Sequence, residues 1–474
     1  MKRISVLAVM LLGCFVAAVS HTVAQTASQT QSQDAAVNDE TQSKNLWTRK
    51  VGEDWKTFLG PTGDGKSTET GILKDWSKGK LKVLWKIDAD QGYGIGSVAN
   101  GRFYHFSRGK AKTDKATLNC LNAETGESLW KFAYESNYRD LYGYDSGPRT
   151  SPLIDDGRVY VFGVEGMIHC LDAVTGKEIW KLNTAEKFGV IQNFFGVAST
   201  PVIYNDLLIV MIGGSPEESK KIAPGALDKV VPNGSGIVAF DKMTGEVKYK
   251  VVDDLASYAS LKLTTINDEP MLLAWMRGSL FGLKPETGES LFEFPWRARI
   301  LESVNASTPI VIENKILITE CYGMGSAFLK FDGKNIEPVW TDKEKGRNKA
   351  LEAHWNTPIQ VGDWVFGCSG RHSTPAELRC VNWRTEEVLW KKAGLSRSSM
   401  TLIEGHLIVM GEKGDLVLVK ADSSSYQEVT RYEAGADGVK FANPCWAAPV
   451  VSHGLLYIRG RDQLVCFELI PKKE

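Results

Sequence analysis

Between Ser151 and Lys181 apolar and polar positions alternate in short runs that turn residues interrupt. An apolar run after Pro152 is turned by Asp155-Asp156-Gly157. Arg158 to Gly163 is β-branched and aromatic and is turned by Glu165-Gly166. Met167 to Asp172 is a third run, and Val174-Thr175-Gly176 is a tight turn with Gly where φ > 0 is needed. Lys177 to Lys181 is a fourth run and carries Trp180. The pattern predicts four short antiparallel strands joined by hairpins. One such sheet has two apolar faces and cannot bury them alone, so it requires copies of itself.

The copies are present. Fourth-strand ends recur as Trp130, Trp180, Tyr249, Phe292, Trp340, Trp390 and the segment around Tyr432. The turn before them recurs as Glu124-Thr125-Gly126, Met243-Thr244-Gly245 and Glu286-Thr287-Gly288. The opening Ser151-Pro152 recurs as Thr200-Pro201, Thr308-Pro309, Thr357-Pro358 and Ala448-Pro449. Proline is tolerated at the first residue of a strand because no ladder donor is needed there. The period is roughly 40 to 50 residues, in the range of propeller blades, with an insertion near Gly213 to Gly234. Leu81 to Ile87 reads as a fourth strand with no first three before it. The last repeat, from Pro449 to Leu469, lacks its fourth. The N-terminal strand is therefore expected to complete the C-terminal sheet and close the ring. Counting Trp85 with the seven other ends predicts an all-β, eight-bladed propeller over residues 81–470. No helical period is sustained, which argues against doubly wound and solenoid folds.

Upstream, residues 1–24 read as an export signal: Lys2 and Arg3, an apolar run from Ile4 to Val19, then Thr22-Val23-Ala24 for cleavage. The run is too short for a membrane span. Leu11-Leu12-Gly13-Cys14 resembles a lipoprotein box, which offers Cys14 as a lipid anchor. The apolar stretch Phe15 to Val19 after it favours soluble export. Residues 25–50 are polar and read as a disordered tether, and residues 51–80 as an ordered strap on the body. Gly60 to Ser67 invites a phosphate-loop reading, but no helix pattern follows and nucleotide binding is not expected.

The chain has 474 residues and a formal net charge of −1, which gives no electrostatic reason to expect nucleic acid or an anionic membrane as partner. Of eight cysteines, Cys120, Cys170, Cys380 and Cys466 fall at one place in the third-strand pattern. That is a repeat position wanting a small apolar group rather than a disulfide framework. Cys321, Cys368 and Cys445 follow no pattern, and one disulfide after export stays open.

The run Leu171 to Trp180, L-D-A-x-T-G-K-x-x-W, with its repeated tryptophans resembles the PQQ-like propeller repeat. That repeat is shared by quinoprotein alcohol dehydrogenases and by the non-catalytic assembly lipoprotein BamB. The resemblance covers about Leu81 to Leu469. It implies that Trp130, Trp180, Trp340 and Trp390 pack between neighbouring blades, with Tyr249 and Phe292 departing from the pattern. It also implies what a catalytic member carries: adjacent cysteines, a carboxylate and an amide on calcium, and an aspartate base. No adjacent cysteine pair occurs here.

Ligands of a propeller meet the loops that lead into its innermost strands. Those loops offer Tyr93, Arg149, Asn193, Phe195, Glu302, Asn305, His354, Trp355, Arg397 and Trp446 as binding candidates at the channel mouth. The arginines can equally be structural partners of Asp145 or Glu302. Glu302, Asn305 and Glu352 are the only group to offer calcium. The seven histidines show no zinc spacing, and no esterase elbow occurs. No catalytic residue, resident cofactor or metal is expected. The chain reads as an exported, non-catalytic binding or scaffolding platform of the cell envelope whose partner is an envelope protein or small ligand. The alternative is a PQQ- and calcium-dependent oxidoreductase.

Overall fold

The structure, a computed structural model, describes residues 45–77, 79–109 and 114–472. The expected export signal, Cys14 and most of the expected tether lie outside the described residues. Among the described residues no helix is long and apolar enough to cross a membrane.

Eight four-stranded antiparallel sheets follow one another in the order the repeat predicts. The repeat first read at Ser151 forms the second blade, with strands Leu153–Asp155, Arg158–Phe162, Met167–Asp172 and Glu178–Asn183. The first blade runs from Ser97–Ala99 to Ser128–Glu135. Its second strand, Arg102–Arg108, is buried at every position, whereas Ser128–Glu135 alternates between exposed and half-buried. Sheets stacked face to face around an axis explain this: inner strands are covered on both sides and only the outermost meets water. The eighth blade holds Val450–Ser452, Leu455–Arg459 and Gln463–Glu468, and its fourth strand is Val83–Asp88, with Trp85 opposite Cys466. Closure by the N-terminal strand is as expected. The insertion sits inside the third blade, between Leu207–Met211 and Ile237–Asp241.

The seams between blades repeat one interaction. Indole Nε1 of Trp85, Trp130, Trp180, Trp340 and Trp390 donates to the turn carbonyl of the next blade, at Ala123, Ala173, Lys242, Trp383 and Asp422, over 2.8–3.2 Å. The Tyr249 hydroxyl does the same to Pro285 at 2.8 Å. Phe292 and Tyr432, which lack the indole, pack instead on Phe331 and Phe467, each at 5.1 Å between ring centres. The turn glycine is doubly constrained. Gly176 has φ +70°, and a Cβ there would come within 2.5 Å of the Trp130 ring. The repeated cysteines face these rings across the ladder, Cys120 opposite Trp130 and Cys170 opposite Trp180, so a small side chain leaves room for the indole. All seven cysteines of the described residues are free thiols.

The strap departs from the expected picture in extent and path. Residues 45–50, placed in the tether by composition, belong to the body. Trp47 is buried and stacks on His453 at 4.1 Å, Thr48 donates to Glu124, and Arg49 pairs with Glu468. Further on, the strap does not lie on the outside but crosses the channel. Trp55 bridges Val98 in the first blade, Lys56 accepts from Ile154 in the second, and Lys262 in the fourth donates to the carbonyls of Thr62 and Gly63 at 2.8 Å. Lys66–Ser67 pairs in parallel with the innermost strand of the seventh blade, Ser399–Ile403. Glu69 accepts from the backbone of His453 in the eighth at 2.6 Å. Gly60 to Ser67 does meet the G-x-x-x-x-G-K-[ST] spacing, yet it follows no strand and opens no helix. Its Lys66 bonds Asp64 at 2.8 Å and Gln360 at 3.4 Å instead of guarding an anion nest.

Two outcomes follow. A chain lacking Val83–Asp88 leaves the edge of Gln463–Glu468 unpaired and should aggregate, seen as loss of the monomer peak on gel filtration. Trp180→Phe, which removes only the indole donor, should cost about 1 kcal/mol, and Trp180→Ala roughly 3 kcal/mol, measured by urea unfolding.

Candidate functional site

Each loop before a first strand ends at the same mouth of the ring, because every first strand starts there. Eight of the ten sequence candidates line one cavity of about 470 Å³: Tyr93, Arg149, Phe195, Glu302, His354, Trp355, Arg397 and Trp446. Phe58 and Leu59 from the strap line the same cavity, so the strap makes a blind pocket of what would be a channel.

The other two candidates turn elsewhere. Asn305 is buried, and its Nδ2 donates to the backbone carbonyls of Met276, Arg277 and Trp296 at 2.9–3.4 Å. Its Nδ2 fixes the loop, and its Oδ1 is buried without a protein partner, outside the mouth cavity. Asn193 accepts from Phe194 N at 2.8 Å and lines a different cavity.

The pocket wall is aromatic. Tyr93 and Trp446 lie 4.8 Å apart, Trp446 and Trp355 4.4 Å, and Trp355 and His354 4.2 Å. Tyr144 joins Trp446 to Phe195 at 5.7 Å on each side. Sequence reasoning missed Tyr258, Tyr322 and Arg371. Tyr322 and Arg371 follow the second strands of the fifth and sixth blades rather than preceding a first strand. The only signal for them is a bulky residue just after Glu320 and Gly370, where a strand should yield to a turn.

Two of the three arginines are neutralised by carboxylates behind the wall. Arg149 pairs with Asp140 at 2.7 Å, and Arg397 pairs with Glu412. These partners are not Asp145 or Glu302, the sequence-level candidates, although both arginines are structural pairs as that reading allowed. Burial opposes ionisation of Glu412, but hydrogen bonds from Arg397 and Ser373 outweigh it and hold its carboxyl below the usual range. The Arg397 guanidinium lies 4.7 Å from the Trp355 ring centre and 5.2 Å from that of Trp446, so the ion pair also fixes both indoles. Arg371 sits over Tyr322 at 4.5 Å and has no ion pair among the described residues. Glu302 is exposed at the rim.

His354 and Trp355 supply the unused polar atoms. His354 Nε2 shares a hydrogen bond with Tyr322 OH at 2.9 Å, while its Nδ1 and Trp355 Nε1 are buried without a partner. Burial, then the charges of Arg397, Arg371 and His372, hold the imidazole well below its ordinary pKa. It is therefore neutral at neutral pH. The mouth presents stacking faces, one uncompensated cation and two unpaired polar nitrogens.

A calcium ion does not fit this donor set. Glu302 stands at the exposed rim, and neither Asn305 nor Glu352 lines the pocket. Among the described residues no three His, Cys, Asp or Glu side chains converge as a metal would require.

A depressed histidine pKa carries a sign. Above the unfolded value of about 6.5 neutral His354 adds no pH dependence, and below it the unfolded chain binds the extra proton. Stability should then fall as pH drops below that value, by up to about 1.4 kcal/mol per pH unit for one group. His354→Gln should flatten part of that slope in melting curves taken between pH 7 and 5.

Comparison with known proteins agrees with the geometry. The family described as outer membrane protein assembly factor BamB matches residues 35–214 and 114–392. The fold is similar to quinohemoprotein alcohol dehydrogenase from Comamonas testosteroni, with TM-score 0.61, 13% identity and coverage of 92% of this chain and 83% of that one. It is also similar to BamB from Moraxella catarrhalis, with TM-score 0.55, 16% identity and coverage of 83% and 99%. At such identities the likeness is one of fold. No curated protein matches the chain in sequence.

Proposed function

Because the chain belongs to the PQQ-like β-propeller family whose model is described as outer membrane protein assembly factor BamB, we propose that it is a non-catalytic binding propeller, exported to the cell envelope. Its channel mouth takes an envelope protein's segment or a small ligand. The observation that carries this reading is the blind aromatic pocket: a closed floor, a wall of rings contributed by many blades, and charges already paired behind it. Aromatic and arginine anchors in a desolvated pocket are the usual source of binding energy at an interface. A guest with a flat or apolar body stacks on the wall formed by Trp355, Trp446 and Phe195. An anionic group on that guest meets Arg371, and an acceptor meets Trp355 Nε1. Exposed Tyr142, Tyr144, Ile300 and Leu301 around the mouth supply further apolar contact for a macromolecule.

A second reading, a quinoprotein oxidoreductase, draws on the same stacking faces and on Arg371. PQQ would lie against Trp355 and Trp446 and would supply a two-electron carbonyl when bound. The missing convergence of metal donors weighs against it. The two readings separate in one experiment. Protein mixed with PQQ and calcium should show no saturable binding and no alcohol- or sugar-driven dye reduction, while an envelope extract should yield a partner that Trp355→Ala fails to retain. A micromolar dissociation constant for PQQ, about −8 kcal/mol, would reverse the choice.

A further inference from the structure

A second cavity of about 480 Å³ lies off the axis, among the loops of the second and third blades. That volume is in the range of small-molecule sites, about 300–1,000 Å³. It adjoins the mouth pocket through Ala198, which lines both, while Phe194 and Phe195 belong to the mouth and Asn193 and Ser199 to the second cavity.

Its polarity is one-sided. The carboxylates of Glu135, Glu165 and Glu186 line it, and no Lys, Arg or His among the described residues does. Glu135 is already paired with Lys115 at 3.4 Å on the exposed outer strand. Glu165 accepts only from neutral hydroxyls, Tyr134 and Ser136, at 2.7 Å each. Glu186 accepts from the Asn183 amide at 3.4 Å, also neutral. Two carboxylates thus face the cavity without a cation. The rest of the wall includes the apolar side chains of Met211, Leu227, Val230 and Leu255.

A separate observation points to a guest. Ser199 and Ser215 line the cavity and are each 2% exposed, and neither hydroxyl has a protein partner. Buried polar groups are nearly always satisfied, by protein, water or ligand, so these two hydroxyls are open to polar atoms of a molecule that enters.

We infer that this cavity binds an organic ammonium ion, a primary amine on a short apolar body. The ammonium has three donors and no acceptor, which suits Glu165 and Glu186. The body lies on Met211, Leu227, Val230 and Leu255. The inference is independent of what the channel mouth binds.

The test is calorimetric titration of the full chain at neutral pH with hexylammonium, and with hexanol and hexanoate as neutral and anionic counterparts. Hexylammonium should bind saturably with one site, and hexanoate at least about tenfold more weakly. Glu165→Gln and Glu186→Gln should each weaken the ammonium by about three- to tenfold. Leu255→Trp should fill the cavity and abolish binding, and Trp355→Ala at the mouth should leave it unchanged. Glu186 is exposed, so its variant keeps the test decisive if the Leu255 or Glu165 variants fail to fold. No heat of binding at millimolar hexylammonium would overturn the assignment. So would equal affinity for hexylammonium and hexanoate, or loss of binding in Trp355→Ala with retention in Glu186→Gln.

Discussion

At six of the eight seams, one backbone carbonyl at the turn between the third and fourth strands ties a blade to its neighbour. At Ala123, Ala173 and Lys242 that oxygen accepts twice: from the tryptophan of the preceding blade, and from a tyrosine on the second strand of that same blade, Tyr457, Tyr104 or Tyr160, at 3.0–3.1 Å. Both lone pairs are used, and both donors arrive with a large ring that excludes water. The turn places its carbonyl towards the neighbour with a left-handed residue, and at Gly126, Gly176 and Gly245 the ring lies where a Cβ would stand, whereas the sixth blade keeps the contact with Glu386 at φ +62°. Glycine meets both demands in those three blades. The T-G-x-x-x-W spacing of the first two blades is thus two halves of one contact, each made with a different neighbour.

The rigidity this gives the inner strands is passed to the loops by buried arginines. Arg459 donates to the carbonyls of Gly94 and Phe106 and approaches that of Ala89, fastening the segment before Tyr93 to the closing blade. Arg108 donates to the carbonyls of Tyr138 and Ser146, fixing the loop that carries Arg149. Burial lowers the Arg459 pKa to about 10, which leaves it charged at any physiological pH. Carbonyl oxygens are the acceptors because a loop that must hold its shape offers them at every residue. The mouth residues therefore sit on a scaffold that is already ordered before anything binds.

The blades were legible because strand alternation and turn chemistry are local. Arg158–Phe162 and Met167–Asp172 lie where the periodicity puts them, and Val83–Asp88 pairs where the missing strand demands. The mouth was legible as a set of loops, which is why eight candidates converge. Which atoms those loops expose was not. Asn305 carries an amide suited to a ligand, and only tertiary structure shows that three carbonyls claim its nitrogen and that it lies outside the mouth cavity. Arg149 and Arg397 take their carboxylates from Asp140 and Glu412, and no short-range signal marks the Arg397–Glu412 pair. The strap was the least legible part. Residues 45–50 are polar enough to read as tether, and what orders them is long-range: the Trp47 stack on His453, Thr48 on Glu124 and Arg49 on Glu468.

The pairing of Val83–Asp88 with Gln463–Glu468 also sets an order of events for a chain made from its N-terminus. The first blade strand to be made pairs with the last blade strand to be made. Throughout synthesis the growing array has two open edges, and no amount of local folding can join them. Contacts of such long sequence separation are slow to form, and unpaired edges are prone to association while they wait. A ribosome that stops a few dozen residues short leaves an arc instead of a slightly smaller ring. Completion is all or nothing: synthesis that stops before Gln463–Glu468 leaves the ring open.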